Sequence, residues 1–206
     1  MSESFVHRYE PGAGSVTLLL LHGTGGDENQ LIELASRLAP GAALLSPRGQ
    51  VLEGGVAARF FARRGVGDLD LDDLRRRGDE LAAWIRAACA QYGRDAGRVI
   101  ALGYSNGANI GVELLFRHGG TLRGAALLRP MLPYRPDEPL SLSGTDVLIA
   151  AGDADPYSSP EQIEELAEVL AAGGAEVQVS RQPVGHELTQ GDLDALAAWI
   201  HPHASA

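Results

Sequence analysis

The sequence predicts one α/β domain over residues 1–206: a mostly parallel central sheet with helices on both faces. Three observations carry that reading. Near-continuous apolar runs, such as Val16 to Leu21 and Val99 to Leu102, lack the polar alternation of a half-exposed strand and so mark strands covered on both sides. Between them lie segments with apolar residues at i, i+3, i+4 and i+7, the spacing of a helix with one buried stripe. The two signals alternate along the whole chain, and that alternation builds parallel sheets through helical crossovers.

At 206 residues and 45% hydrophobic composition the chain can bury one sizeable core. Its 17 Lys and Arg against 27 Asp and Glu give a formal charge of −10, which on average repels nucleic acid and anionic membrane surfaces. A soluble protein that binds neither is expected. Met1-Ser2-Glu3-Ser4 lacks the basic start and apolar core of a signal peptide, and no apolar stretch nears the ~18 residues of a membrane span. The cytoplasm is therefore the expected compartment. Cys89 is the single cysteine, so an intramolecular disulfide is excluded, and neither a metal nor a cofactor is expected.

In chain order, Ser15 to Leu21 is the first buried strand and His22-Gly23-Thr24-Gly25-Gly26 the turn after it. Asp27 with Gln30 reads as a capping box for a helix whose buried stripe is Leu31, Leu34, Ala35 and Leu38. Ala42 to Ser46 is a second strand, closed by Pro47. Residues 47–70, glycine-rich around Arg59-Phe60-Phe61-Ala62-Arg63-Arg64, read as one irregular loop. A long helix from about Asp72 to Tyr92 buries Leu74, Leu81, Trp84, Ile85 and Ala88 and ends at Gly93. Further strands are expected at Gly124 to Leu128, Asp146 to Ala151 and Glu176 to Gln182. Ser159 and Gln162 can cap a helix over Pro160 to Ala172, and Leu193, Leu196, Ala197 and Ile200 mark the last one. Ligands of such sheets bind beyond the carboxyl ends of the strands, so the loops at 22–27, 47–70, 103–107, 129–145, 152–159 and 183–188 should converge.

The most informative stretch is Val99-Ile100-Ala101-Leu102-Gly103-Tyr104-Ser105-Asn106-Gly107-Ala108-Asn109. An apolar run passes through G-x-S-x-G into a segment of small residues, the strand, sharp turn and helix of a nucleophile elbow. Ser105 at the apex needs a base to take its proton. Of the six histidines only His22 and His186 lie on loops at the right end of the sheet, and the order nucleophile, acid, histidine selects His186. The acid should follow the strand that ends near Ala151, where Asp153 and Asp155 both stand. Asp155 is the choice, because Pro156 forces it toward an extended backbone while Asp153 after Gly152 suits a turn. The oxyanion hole requires two backbone donors. Asn106, after the nucleophile, and Thr24, on the loop after the first strand, are in position to supply them.

On these residues the chain resembles the α/β-hydrolases, in particular the small phospholipase/carboxylesterase branch that includes acyl-protein thioesterases and bacterial carboxylesterases. The resemblance runs through Leu21-His22-Gly23-Thr24-Gly25-Gly26-Asp27-Glu28, Arg59-Phe60-Phe61, the elbow, Arg129-Pro130-Met131, Gly152-Asp153-Ala154-Asp155-Pro156 and Gly185-His186. It implies the α/β-hydrolase fold and assigns the acid to the second aspartate of G-D-x-D-P, which is Asp155. One departure stands beside the acid: Ser158 and Ser159 precede Pro160 where the family usually places a proline earlier.

The reading is a serine carboxylesterase with triad Ser105, His186 and Asp155 acting on small soluble esters through an acyl-enzyme. A thioesterase or lysophospholipase using the same residues is the alternative, and a non-catalytic binding module a more distant one. No insertion is long enough for a lid domain. Phe60, Phe61, Tyr104, Met131, Leu132 and Tyr134 are the available pocket walls, suited to acyl chains of roughly two to eight carbons. The Arg59, Arg63 and Arg64 cluster is either a solvated surface or a recognition site for an anionic substrate, and a homodimer stays open.

Overall fold

The computed structural model describes residues 5–65 and 67–204. In chain order the elements are β1 (His7–Glu10), β2 (Thr17–Leu21), α1 (Ile32–Leu38), β3 (Ala43–Pro47), β4 (Val51–Glu53), β5 (Ala57–Arg59), β6 (Arg63–Gly65), β7 (Asp68–Leu69), α2 (Leu71–Gln91), β8 (Val99–Tyr104), α3 (Asn106–Arg117), β9 (Gly124–Leu128), β10 (Asp146–Gly152), α4 (Pro160–Ala172), β11 (Glu176–Gln182) and α5 (Gln190–Ala204). A seven-stranded sheet runs β1-β3-β2-β8-β9-β10-β11. All its pairs are parallel except β1 with β3, at one edge.

Burial on both faces explains the apolar runs. Along β2, Leu19 and Leu21 join the core beneath α2, α3 and α4, whereas Leu18 and Leu20 join the core beneath α1 and α5. A buried leucine contributes about 1.5–3 kcal/mol, so β2 stabilises both layers of the core at once. At α4, Ser159 accepts from the Gln162 N–H and the Gln162 side chain accepts from the Ser159 N–H, with Pro160 in the first turn. The expected capping box forms.

Two expectations change. The pair Asp27 and Gln30 does not cap α1, which begins later, at Ile32, without a side-chain cap. Asp27 closes a local turn onto the Asn29 N–H, and the Gln30 side chain accepts from the Gly23 N–H, so both residues shape the loop after β2. Residues 47–70 are not irregular throughout: β4 with β5 and β6 with β7 form two small antiparallel hairpins. Among the described residues, no helix is long and apolar enough to cross a membrane.

Candidate active site

Ser105 sits between the end of β8 and the start of α3 with φ 53° and ψ −113°, one of two non-glycine residues at positive φ among those described. Such a backbone is strained, and the surrounding packing must hold it there. The Ser105 N–H donates to the Leu128 carbonyl at 2.9 Å. Glycine is obligatory on either side: a Cβ on Gly103 would lie 2.6 Å from the Gly107 carbonyl oxygen, and one on Gly107 would lie 2.0 Å from that of Leu21. The close approach of β2, β8 and α3 at this corner is what lifts the serine above the sheet.

The loop after β10 and the loop after β11 meet at a point where Gly152 passes so close to Gly185 that a Cβ would fall 2.1 Å from its carbonyl oxygen. That contact brings Asp155 and His186 together. The His186 Nδ1–H donates to Asp155 Oδ2 at 2.8 Å, and the Ser105 hydroxyl donates to His186 Nε2, also at 2.8 Å. Asp155 is buried and its other oxygen accepts from the Tyr157 N–H at 2.9 Å. Asp153 lies apart, half exposed and paired with Arg181 at 3.3 Å. His22 lies apart as well: its Nδ1–H donates to the Gly23 carbonyl at 2.7 Å and its Nε2 accepts from the Gly49 N–H at 2.9 Å. Burial holds the His22 pKa below the ordinary histidine value, which suits a neutral ring joining two loops.

Thr24 and Asn106 border the same cavity as Ser105 and His186, a space of about 280 Å³. Asn106 is the first residue of α3, where a helix leaves N–H groups unpaired at its positive end. Thr24 is fixed by its neighbours, since the Gly25 N–H donates to Ala58 at 2.9 Å, the Gly26 N–H to Gly23 at 3.0 Å and Arg59 Nη1 to Thr24 Oγ1 at 2.7 Å. Chemically, the arrangement offers a hydroxyl in line with an imidazole and a carboxylate beside a cavity.

Tyr104 and Met131 line the cavity, and Phe60 does not. The Phe60 ring is buried in the core against His22, with ring centres 4.7 Å apart, and only its backbone serves the site. The Phe60 N–H donates to Asn106 Oδ1 at 2.7 Å, as the Met131 N–H does to Asn109 Oδ1 at the same distance. Two asparagines on the first turn of α3 thus hold the loops on both sides of the serine. Tyr157, not singled out in the sequence, joins the cavity with its ring edge-on to His186, centres 4.7 Å apart. Among the described residues Arg129 is the largest fully buried side chain. Its guanidinium donates to Asp192, to the Ala150 carbonyl, and to the carbonyls of Gly185 and Glu187 on either side of His186. A local signal existed for the partner, since Thr189-Gln190-Gly191-Asp192 has the spacing of a helix cap before an apolar stripe.

No family model matches the chain. The protein MhqD of Bacillus subtilis (strain 168), named as a candidate hydrolase, is 45% identical over 193 residues, 94% of this chain and 96% of that protein. The crystal structure of a Bacillus cereus carboxylesterase matches with a TM-score of 0.91 at 40% identity, over 95% of this chain and 93% of that one. A carboxylesterase from Mesorhizobium loti matches with a TM-score of 0.82 at 34% identity, over 92% and 90% respectively.

Proposed function

The chain belongs to the α/β-hydrolases, in their small esterase branch, and from that membership we propose that it is a serine carboxylesterase acting on small carboxylic esters through an acyl-enzyme. One observation carries the reading beyond family membership: Asp155, His186 and Ser105 form an unbroken line of 2.8 Å hydrogen bonds that ends in a cavity. In the proposed reaction the Ser105 oxygen attacks the ester carbonyl carbon while His186 Nε2 takes the hydroxyl proton. The carbonyl oxygen becomes an anion received by the Thr24 and Asn106 amides, and removing one such donor costs about 2.7–4 kcal/mol of transition-state stabilisation. Collapse breaks the bond to the alcohol, which leaves with the proton from His186. Water then repeats the sequence on the acyl group, giving the acid and free Ser105. Asp155 stays ionised throughout and keeps the imidazole in the tautomer whose Nε2 can accept.

A fluorophosphonate probe tests the nucleophile, with a single label on Ser105 expected and none on the Ser105→Ala protein. An unlabelled wild-type serine would return the chain to a non-catalytic role. Turnover of an oxygen ester against the matching thioester tests the bond class, with the oxygen ester expected to be the better substrate. A strong thioester preference would move the assignment to a thioesterase.

A further inference from the structure

The wall of the catalytic cavity nearest Thr24 carries an unbalanced positive charge. Three of the twelve residues that line the cavity are arginines, Arg59, Arg63 and Arg129, and among the described residues no aspartate or glutamate lines it. Arg129 is neutralised at close range by Asp192, with bonds of 2.8 and 2.7 Å between two fully buried side chains. Arg59 and Arg63 are not. They share one carboxylate, Glu53, whose Oε1 lies 2.6 Å from Arg63 Nη2 and whose Oε2 lies 3.1 Å from Arg59 Nη1. The neighbouring Arg64 pairs separately with Asp70 at 3.7 Å and stays outside the cavity.

Arg59 is only 4% exposed, and its other partners are neutral oxygens, Thr24 Oγ1 at 2.7 Å and the Phe61 carbonyl at 3.1 Å. Burial, and after it the Arg63 cation, pull the Arg59 pKa below the ordinary arginine value, as expected of a half-compensated charge. A guanidinium taken from water with half a counter-charge is costly unless something completes the pairing. Asn106, which lines the same cavity, has its Nδ2 buried without a partner. Two guanidinium groups that share one carboxylate, and a residue with an unpaired amide N–H, thus border a cavity with a surplus positive charge. An anion with two acceptor oxygens completes the set, and a carboxylate matches the planar fork of arginine in two parallel bonds.

We propose that Arg59 and Arg63 form a carboxylate subsite, so that the preferred substrates are esters carrying a free carboxylate on a short chain, such as monoesters of dicarboxylic acids. The inference rests on the esterase reading above and specifies its substrate class. Because Arg59 holds Thr24, an anion at Arg59 would lie next to the residue assigned to the carbonyl oxygen. That juxtaposition limits the linker between the two carbonyl carbons to a few bonds.

The test compares monoethyl glutarate with its neutral isostere, in which the free carboxylate is replaced by a carboxamide. The wild-type protein is expected to favour the carboxylate ester in kcat/KM, with the difference carried by KM, the pattern of an interaction equal in ground and transition states. Arg63→Gln leaves Arg59 and Glu53 as a neutral pair, so the ratio of the two kcat/KM values should fall about tenfold, the loss of one charged hydrogen bond. Arg63→Lys keeps the charge and should keep most of the ratio. A wild-type ratio near one, or a ratio unmoved by Arg63→Gln, overturns the subsite. Calorimetric binding of monoethyl glutarate to the Ser105→Ala protein reads the subsite without turnover. Binding that Arg63→Gln abolishes supports it even if neither ester is hydrolysed, a result that would count against the esterase reading alone. No binding, or binding indifferent to Arg63→Gln, counts against the subsite alone.

Discussion

Arg129 and Asp192 form a two-bond ion pair from which water is excluded, and the same guanidinium holds the backbone carbonyls on either side of His186. Removing one member of a buried pair leaves the other uncompensated, which typically costs about 3–5 kcal/mol. For a chain of this length that is a fall in melting temperature of roughly 6–20 °C. Asp192→Asn is therefore expected to lose stability on that scale, and Arg129→Met to lose activity as well, because the His186 loop is no longer held. Burial acts to raise the Asp192 pKa, but the bonds from Arg129 and Thr189 outweigh it and leave it below the ordinary value. A carboxylate with a depressed native pKa contributes its stability above the unfolded-state value, near 4, and loses it as the pH falls through the native one. Urea unfolding of wild type and Asp192→Asn should thus show a gap at pH 7 that narrows below about pH 4. A gap constant across that range would disprove the assignment of the pair's contribution.

The two aspartates of the Gly152-to-Pro156 loop should behave differently. Asp155 is buried and bonded to His186, whereas Asp153 is half exposed and meets Arg181 on the surface. Asp155→Asn disfavours the productive tautomer and should lower kcat on the order of 10⁴-fold. Asp153→Asn loses a surface pair worth about 1 kcal/mol or less and should leave kcat within a few-fold. The reverse ranking in steady-state assays would exchange their roles.

Most of the frame was legible because its signals are local. The runs in β2, β8 and β10 have no polar alternation, and the Gly103-to-Gly107 motif lies within five residues of one turn. His186 and Asp155 were legible through chain order and sheet topology, which bring the ends of β10 and β11 to the serine. Strand β1 was not, since His7-Arg8-Tyr9-Glu10 is a polar edge strand without a buried run. Arg129 and Asp192 stand 63 positions apart, and no local pattern announces a bond across that separation. Phe60 was misplaced for a related reason: an aromatic residue in an active-site loop can offer its ring or its amide, and only the packing against His22 decides for the amide.

Ser105 is held at φ 53°, so the elbow should be strained independently of its chemistry. A non-glycine residue in such a region costs on the order of 1–3 kcal/mol. Glycine removes that strain while adding about 0.4–1 kcal/mol of unfolded-state entropy. Ser105→Gly should therefore be at least as stable as wild type and more stable than Ser105→Ala, which keeps the Cβ. Both should lower kcat by three orders of magnitude or more. Denaturant titrations that rank glycine below alanine would remove the strain argument.

Glu113 is a carboxyl fully buried in α3 that takes no part in the proposed reaction. It accepts from the Tyr134 hydroxyl at 2.7 Å, while its other oxygen lies 3.4 Å from Arg117 Nε and has no hydrogen bond. Burial raises its pKa, and the Tyr134 bond and the Arg117 charge offset that only in part. An acid whose native pKa lies above its unfolded value is destabilising once ionised, so stability is full below the unfolded pKa and declines as the pH rises through both. Glu113→Gln should match wild type near pH 4 and exceed it at pH 7. Chemical denaturation at the two pH values checks it, and a variant weaker than wild type at pH 7 would show that the Arg117 pair dominates.

Acyl length follows from the cavity. Its volume of about 280 Å³ is small for a small-molecule site, and the apolar side chains left to line it are Met131, Tyr104 and Tyr157 once Phe60 and Phe61, both expected as walls, are assigned to the core. Leu132 and Tyr134, also expected as walls, fall outside it; Tyr134 borders a separate cleft beside Arg75 and Phe116. Each methylene that finds apolar cover contributes about 0.8 kcal/mol, close to fourfold in kcat/KM. Carbons beyond that short wall stay in water and add nothing. Across a p-nitrophenyl ester series held below micelle formation, kcat/KM should climb from acetate and level off by roughly eight carbons, the range in which a small pocket is filled. A maximum at palmitate would require a groove beyond Met131 and would favour a long-chain thioesterase or lysophospholipase over a short-chain esterase.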